Sequence, residues 1–269
     1  MRVATWNLLH GIALVDPLEA PGLAQVAGSI TADLIGLQEV DRHQERSNNE
    51  HQTKIVADAM GLPYWVFAPA IIGTPGESWE GATDFHIHSH EHSDSGQEQP
   101  HYGVGLASRY PISNIEVLRF KSAPISLPLL VPSNPRPRMI KVADESRVAI
   151  IAEVETPLGT FTVATTHLSF VPGFNVKQLR QLTKQLSERK NPVLIFGDFN
   201  LPGKLAKFVS RWDSLAELPT YPTFKPRIQF DHIIARGLSE VSIKQAQESA
   251  EVLQLPISDH CALVVEVTK

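Results

Sequence analysis

Short apolar runs and amphipathic segments follow one another along the chain, and their spacing predicts its secondary structure. Apolar residues three and four positions apart are typical of a helix on a core, whereas runs of about four to eight are typical of buried strands. The predicted helices cover residues 19–32, 49–60 and 176–188, and the predicted strands cover residues 2–8, 34–37, 64–69, 103–108, 112–120, 148–154, 160–166, 193–196 and 262–267, with one more around Ile233. Many strands with helices clustered between them predict two sheets packed face to face with helices outside.

Two segments interrupt this pattern. Residues 73–101 are rich in Gly, Ser, His and Glu and contain few aliphatic side chains, which predicts an insertion loop or lid. A proline-rich passage covers residues 124–137, and its apolar part at 125–131 is interpreted as a strand edge or a packed loop, with a membrane-touching loop as the alternative. Neither a repeat nor a linker divides the chain, so we expect a single domain over residues 1–269.

Composition narrows the class of protein. The chain has 269 residues, 42% of them apolar and 20% charged, as in an ordinary soluble enzyme. Its net charge of −5 argues mildly against a non-specific DNA binder with a basic face, although it leaves a metal-dependent nuclease open. Cys261 is the only cysteine, Asp16 and Glu19 interrupt the place of a signal sequence, and no apolar run has membrane-spanning length. We therefore expect a cytoplasmic monomer without membrane insertion or an obligate protein partner.

Polar residues able to bind a metal or a phosphate stand at the ends of many apolar runs. They are Asn7, Glu39, Arg147, His167, Asp198, Asn200, Asp231, Asp259 and His260. Carboxylates, amides and imidazoles that strand ends deliver to one surface suit a hard divalent cation and the phosphate it polarises. The ordered set, more than any single motif, indicates phosphate chemistry.

Glu39 and Asn7 each have a simpler structural explanation as well. Glu39 closes the apolar run 34–37, where an unpaired buried charge would be costly, so a metal is favoured over a surface ion pair with Arg42. Asn7 follows the first strand, and alone it would be typical of a turn or a cap.

Asp198 and Asn200 are two residues apart and therefore point to the same side of an extended segment. An Asx turn after a strand would give the same spacing. Arg147 fits a bidentate phosphate clamp and, equally well, a surface ion pair with Asp144 or Glu145.

The order of these motifs resembles that of a known superfamily. The motifs are Thr5-Trp6-Asn7, Leu37-Gln38-Glu39, Thr166-His167-Leu168, Gly197-Asp198-Phe199-Asn200, Phe230-Asp231-His232 and Ser258-Asp259-His260. Together they are similar to the endonuclease/exonuclease/phosphatase superfamily, which includes abasic-site endonucleases, pancreatic deoxyribonuclease, neutral sphingomyelinases and inositol polyphosphate 5-phosphatases. The resemblance implies an α/β (α+β) fold, a four-layer α/β/β/α sandwich of two mixed, mainly antiparallel sheets.

The resemblance also implies roles for the residues on the metal side of the site. Glu39 would bind Mg²⁺, with Mn²⁺ or Ca²⁺ as alternatives, and Asn7 and Asp259 would assist. Asp198 and Asn200 would orient and deprotonate the attacking water and hold the transition-state oxygens.

On the phosphate side, the resemblance implies that His260 contacts the scissile group while Asp231 fixes its tautomer. His167 would donate to phosphate or to the leaving oxygen, as in the deoxyribonuclease and sphingomyelinase relatives. Arg147 would clamp phosphate. Tyr102 would stack on or hydrogen-bond the substrate, with core packing as the alternative.

Three functions follow as hypotheses. The first is a metal-dependent phosphodiesterase, with nuclease activity on DNA or RNA as the leading expectation. The second is a hydrolase of small or lipid phosphoesters, and the third is a catalytically inactive binding module on the same fold. A nuclease needs a basic groove, for which the sequence offers Arg136, Arg138, Lys141 and Arg147. The histidine-rich run 86–94 is interpreted as a solvated loop, with a second metal site as the alternative.

Overall fold

A computed structural model describes residues 1–13, 21–84, 87–91, 99–131 and 138–268. The strands are β1 (Arg2–Asn7), β2 (Leu34–Arg42), β3 (Tyr64–Gly73), β4 (Trp79–Gly81), β5 (His88–Ser89), β6 (His101–Ser108), β7 (Ile112–Phe120), β8 (Ser126–Val131), β9 (Arg138–Ala143), β10 (Arg147–Thr156), β11 (Gly159–His167), β12 (Val193–Asp198), β13 (Asp213–Ser214), β14 (Asp231–Arg236), β15 (Glu251–Leu253) and β16 (Ala262–Glu266). The helices are α1 (Leu23–Ala27), α2 (Gln52–Met60), α3 (Phe174–Leu186), α4 (Leu205–Ser210) and α5 (Glu240–Glu248), and short 3₁₀ turns cover Leu9–Gly11 and Glu45–Ser47.

Two large sheets form the centre of the molecule. The first has the strand order β15-β16-β1-β2-β6-β3-β4, and β5 also pairs with β3. The second has the order β13-β14-β12-β11-β10-β7, and β8 pairs with β9 in a separate two-stranded sheet. Only β1 with β2 and β11 with β12 run parallel among the described pairs, so both large sheets are mixed and mainly antiparallel.

Alternating side chains divide the core into three layers. Val3 of β1 and Leu194 of β12 point between the two sheets, where they join one buried cluster. Trp6 points to the other side of the first sheet and packs in a cluster with residues of α1 and α2. Ile195 points outward from the second sheet into a cluster with residues of α3 and α4. The period of two in the strands thus buries both faces of each sheet, which confirms the α/β/β/α sandwich.

The sheets approach closely at Gly36 in β2. A Cβ atom at this position would lie 2.3 Å from Oγ1 of Thr165 and 2.6 Å from the Phe196 ring, both in the second sheet. Close by, Nε2 of Gln38 donates to Oγ1 of Thr165 at 3.1 Å, and Oγ1 of Thr5 donates to Oε1 of Gln38 at 3.1 Å. The side chain of Gln38, held by Thr5 of its own sheet, therefore links the two sheets just before Glu39.

The structure corrects several predicted elements. Residues 73–101 are not one continuous loop, because β4 and β5 both pair with β3; residues 85–86 and 92–98 lie outside the described residues. In the proline-rich passage, by contrast, β8 pairs with β9, which agrees with the interpretation of its apolar part as a strand; residues 132–137 lie outside the described residues. Strand β2 continues to Arg42 instead of ending at Leu37, because pairing with β6 resumes after a bulge. No helix in the described part of the chain has the length and hydropathy of a membrane span.

Candidate active site

Asp198, the last residue of β12, lies at the centre of the predicted site residues. Its Oδ2 accepts a hydrogen bond from Nδ2 of Asn7 at 3.0 Å. The same oxygen lies 3.6 Å from Nε2 of His167 and 3.8 Å from Nε2 of His260. Its Oδ1 accepts from the backbone N–H of Asn200 at 2.9 Å, which is the Asx turn that the sequence offered as an alternative. One buried carboxylate therefore contacts four of the predicted residues.

The sheet register explains this convergence. His167, Asp198 and Asp231 are direct cross-strand neighbours on β11, β12 and β14. Asn7 ends β1 in the other sheet, and His260 lies two residues before β16, the antiparallel neighbour of β1. The site therefore lies at one shared end of the two sheets, and the bond between Asn7 and Asp198 crosses between them.

Glu39 reaches the site through an irregular backbone. It lies in the bulge between Leu37 and Val40 and has φ = 54°, a left-handed conformation that is uncommon for residues other than glycine. Its Oε1 accepts a hydrogen bond from Nδ2 of Asn7 at 3.0 Å, while Oδ1 of Asn7 accepts from the backbone N–H of Leu9 at 3.0 Å. The Asn7 amide group is thus fixed in orientation and bridges two carboxylates.

Burial raises the pKa of each acidic group around Asp198 for which a shift is resolved, because it disfavours the charged form. The pKa of Glu39 is raised to about 7, mainly by burial; the charge of Asp259 adds to the shift, whereas the hydrogen bond from Asn7 and the charge of His260 oppose it. Burial also raises the pKa of Asp198 to about 6, with the Asp231 charge adding to the shift and His260 opposing it. The pKa of Asp259 is likewise raised by burial. A cation beside these oxygens would favour their ionised forms.

His260 belongs to a buried hydrogen-bonded chain. Its Nδ1 donates to Oδ2 of Asp231 at 2.8 Å, and Oγ1 of Thr220 donates to the same oxygen at 2.5 Å. Burial opposes the charged form, but the charges of Asp231 and Asp198 outweigh it and raise the pKa of His260 to about 10. The ring packs 4.9 Å from that of Tyr221. His260 is therefore a cation at neutral pH, with Nε2–H on the side of Asp198.

His167 has the opposite environment. Nη1 of Arg147 lies 3.0 Å from Nδ1 of His167, and because a guanidinium can only donate, Nδ1 accepts and Nε2 carries the proton. Burial, together with the charges of Arg147 and His260, lowers the pKa of His167 well below its usual value. Nδ2 of Asn200 donates to the carbonyl of Leu168 at 3.0 Å, and its 3.1 Å approach to the protonated Nε2 of His167 is a contact between two donors, not a hydrogen bond. His167 is thus a neutral N–H donor beside Asp198.

Arg147 and Tyr102 lie behind the residues that contact Asp198. Nη1 of Arg147 is 3.2 Å from Oε1 of Glu145, and its Nη2 is 3.5 Å from Oδ1 of Asp144. Arg147 thus forms the predicted ion pairs, which are buried and not on the surface, while its role as a phosphate clamp stays a prediction. Tyr102 is buried, hydrogen-bonds Glu145 and has the guanidinium of Arg46 5.7 Å from its ring centre. Tyr102 therefore packs under the site instead of lining an open surface.

Two groups of side chains offer oxygen or nitrogen atoms to a metal. Ligand atoms of Asp198, Asp231 and His260 all lie within 4.8 Å of one another. In that group, however, Oδ2 of Asp231 already accepts two hydrogen bonds, and a protonated imidazole has no lone pair for a metal. Glu39 and Asp198, bridged by the Asn7 amide, offer ionisable oxygens and fit a hard divalent cation better. Asp259 contributes its charge from nearby.

Some contacts in this network could not be predicted from the sequence. Thr220 bonds Asp231, but nothing in the sequence places residues eleven positions apart in contact. The sequence predicts Glu145 only as a surface partner of Arg147, although it also bonds Tyr102. Gln38 stands in a recognised motif, and its contact with Thr165 follows only from sheet packing.

The structure gives less support to two other predicted groups. In the histidine-rich run, His86 and His92 lie outside the described residues, and His88 is buried against Phe67 at 6.4 Å between ring centres. In the predicted basic cluster, Arg136 lies outside the described residues, and Arg147 is buried in the site.

Solved structures with the same fold cover almost the whole chain. An endonuclease/exonuclease/phosphatase family protein from Leptotrichia buccalis C-1013-b is 14% identical, with a TM-score of 0.61 and 100% of both chains covered. A mannosyl-6-phosphatase from Bacteroides thetaiotaomicron VPI-5482 is 14% identical, with a TM-score of 0.56 and 100% of both chains covered. The human Nocturnin catalytic domain with bound sulfate is 18% identical, with a TM-score of 0.51, covering 100% of this chain and 94% of that one.

A search of curated proteins returned no match. The sequence model of the Endonuclease/Exonuclease/phosphatase family, in contrast, matches residues 4–260. This span begins before Asn7 and ends at His260, so it includes every residue of the cluster around Asp198. The chain therefore belongs to the Endonuclease/Exonuclease/phosphatase family.

Proposed function

We propose that this protein is a divalent-metal-dependent phosphoester hydrolase that cleaves phosphodiesters in one step. The observation that carries the proposal is the double hydrogen bond of the Asn7 amide, which holds the Glu39 and Asp198 carboxylates 3.0 Å on either side of it. A cationic His260 and a neutral His167 face the same Asp198 oxygen. Carboxylate oxygens that could bind a cation thus lie beside histidine N–H groups that could donate hydrogen bonds to phosphate oxygens.

Glu39 would hold the metal, assisted by Asn7 and Asp259. When bound, Mg²⁺ would neutralise the charge that develops on the phosphate oxygens. The raised pKa of Glu39 supports this assignment, because burial disfavours its charged form and a bound cation would offset that cost.

The remaining residues supply binding and proton transfer. Asp198 would orient the attacking water and accept its proton, and its pKa of about 6 is close to working pH, as suits a general base. His260 would place a fixed positive charge and an N–H donor on a non-bridging oxygen. His167 would add a neutral donor, with Asn200 beside it.

Nuclease activity on DNA or RNA is the leading substrate assignment. The second candidate is a small phosphoester, which the similarity to a mannosyl-6-phosphatase and the acidic net charge favour. An inactive binding module is the least economical explanation, because burying several charged groups is costly unless they serve a site.

The deciding experiment assays bis-p-nitrophenyl phosphate, plasmid DNA, RNA, sphingomyelin and inositol phosphates, each with Mg²⁺ and with excess EDTA. Glu39→Gln should lower turnover of the preferred substrate by at least about 10²-fold. Glu80→Gln, a change at an exposed glutamate of β4, serves as the matched control. Hydrolysis that persists in EDTA, or a Glu39→Gln variant as active as the control, would refute the proposal.

A further inference from the structure

A second groove lies between α3 and α4, on the outer side of the second sheet. Its volume is about 560 Å³. The lining residues are Arg180, Lys207, Phe208, Val209, Arg211, Trp212 and Asp213. None of them belongs to the cluster around Asp198, so the groove needs an explanation of its own.

The two helices beside the groove have an unusual charge balance. Residues 174–211 include eight Lys or Arg and only two Asp or Glu, in a chain whose net charge is −5. Neither α3 nor α4 contains an acidic residue, and Arg180, Lys207 and Arg211 are exposed without an ion pair among the described residues. By contrast, α2 and α5 pair their lysines internally with Asp58 and Glu248.

An exposed aromatic side chain stands among these cations. Phe208 is 77% exposed, although α4 buries its neighbour Ala206 completely. Trp212 also lines the groove, and the guanidinium of Arg236 lies 5.8 Å from the centre of its ring. An aromatic face among unpaired cations is the combination that binds single-stranded nucleic acid, because bases stack on the ring while phosphates bind the cations.

We propose that the groove between α3 and α4 binds single-stranded nucleic acid, with backbone phosphates at Arg180, Lys207 and Arg211 and a base stacked on Phe208. The three cations outnumber the single carboxylate of Asp213 in the lining. The cations of the groove thus match the phosphates of a single strand, and the ring of Phe208 matches its flat bases.

The position of the groove connects it with the catalytic cluster. At the start of α3, Nδ2 of Asn175 donates to the carbonyl of Asn200 at 2.8 Å. Arg180 is five residues further along α3, roughly 8 Å at the rise of an α-helix. A strand held in the groove would extend toward Asp198. Binding in the groove is independent of catalysis, whereas guiding a strand to the cluster rests on the proposed function.

The test is fluorescence anisotropy with a labelled twelve-residue oligouridylate in EDTA, which prevents metal-dependent cleavage. The double variant Lys207→Glu, Arg211→Glu should weaken binding at least about 10-fold. It should also reduce the slope of log affinity against log salt by about 1.4, since each phosphate contact in a single strand contributes about 0.7. Phe208→Ala should weaken binding at least about 5-fold through lost stacking. Lys54→Glu, on the opposite outer face, should stay within about 2-fold of wild type.

Two outcomes overturn the proposal. One is a double variant that binds the oligomer as tightly and with the same salt slope as Lys54→Glu. The other is displacement of the oligomer by uridine monophosphate at a similar concentration, which would define a mononucleotide pocket instead. Turnover of bis-p-nitrophenyl phosphate should be unchanged in all three variants. If no phosphoester is cleaved by wild type while the oligomer binds as expected, the proposed function fails and the groove assignment stands.

Discussion

Replacing Asp231 with Asn tests the electrostatics of the site most directly. Asp231 is completely buried, and its Oδ2 accepts from His260 at 2.8 Å and from Thr220 at 2.5 Å. The change to Asn keeps the size of the side chain and removes its charge. We therefore expect His260 to stay in place while its pKa falls.

The size of the fall follows from the charges involved. Two unit charges about 4 Å apart interact by about 4 kcal/mol at an effective dielectric of 20, which is about 3 pKa units. Burial opposes the charge of His260, and its pKa of about 10 results from Asp231 and Asp198 together. Without Asp231, the pKa of His260 should fall to about 7, close to its ordinary value. At pH 8 the variant would then carry a mostly neutral imidazole.

The assay combines an NMR titration of the His260 ring with the pH dependence of kcat/KM. Wild type should keep a protonated His260 up to about pH 10. At pH 8 Asp231→Asn should lose about 10²-fold or more in kcat/KM, the effect of removing a charge-stabilising donor, and it should recover partly at pH 6. Asp58→Asn, at an exposed position on α2, is the control. A His260 ring that still titrates near pH 10 in Asp231→Asn would contradict the reasoning.

The same pair affects stability with a definite sign. Because the pKa of His260 is raised from 6.5 to about 10 in the folded protein, its stabilising contribution is fully present below pH 6.5. That contribution is lost as the pH rises through about 10. Asp231→Asn removes it, so the Tm difference between wild type and variant should be larger at pH 6 than at pH 10.5, as differential scanning fluorimetry would show.

Three further predictions concern other parts of the structure. Gly36→Ala should destabilise the protein by about 1–3 kcal/mol in urea unfolding, because its Cβ would collide with Thr165, whereas Gly22→Ala, which has open space, should not. Asn7→Ala should reduce turnover by at least about 10²-fold under saturating Mg²⁺, because the amide no longer fixes the two carboxylates. The folded-state pKa of Glu39 is raised from 4.5 to about 7, so its favourable contribution is complete below pH 4.5 and is lost as the pH rises through about 7. Tm in EDTA should therefore fall between pH 5.5 and 7.5, and Mg²⁺ should raise Tm more at pH 7.5, where Glu39 is ionised.

The sequence predicts those parts of the fold that depend on local pattern. The run before Asp198 is apolar throughout, and a strand buried on both faces has this pattern, so β12 is found at its predicted place. In contrast, β13 and β15 have only two and three residues, too few for a periodicity to be visible. Their pairing depends on the neighbouring strands β14 and β16, which no local pattern reveals.

In the candidate site, too, some features follow from the local sequence pattern and others only from tertiary contacts. Asp198 and His167 follow apolar runs, so the sequence indicates that both lie at strand ends. The bulge at Glu39 does not follow from the sequence, because its left-handed backbone depends on pairing with β6. Likewise, only the folded chain brings Thr220 to Asp231 and Arg147 to His167. Motif order therefore finds the residues that would do the chemistry, whereas the partners that set their charges come from tertiary contacts.

Because of those partners, the two histidines beside the Asp198 carboxylate differ in charge: one is cationic and the other is neutral. His260 bonds Asp231 and is a cation at neutral pH, whereas His167 accepts from Arg147 and stays neutral. A pair of titratable groups whose environments separate their pKa values is typical of sites that must supply a charge and an uncharged donor at one pH. Two cationic histidines would repel each other and bind the Asp198 carboxylate, which would then be a weaker base. Under the proposed function, this arrangement would let Asp198 accept a proton while a positive charge stands beside it, as hydrolysis of an anionic phosphoester requires.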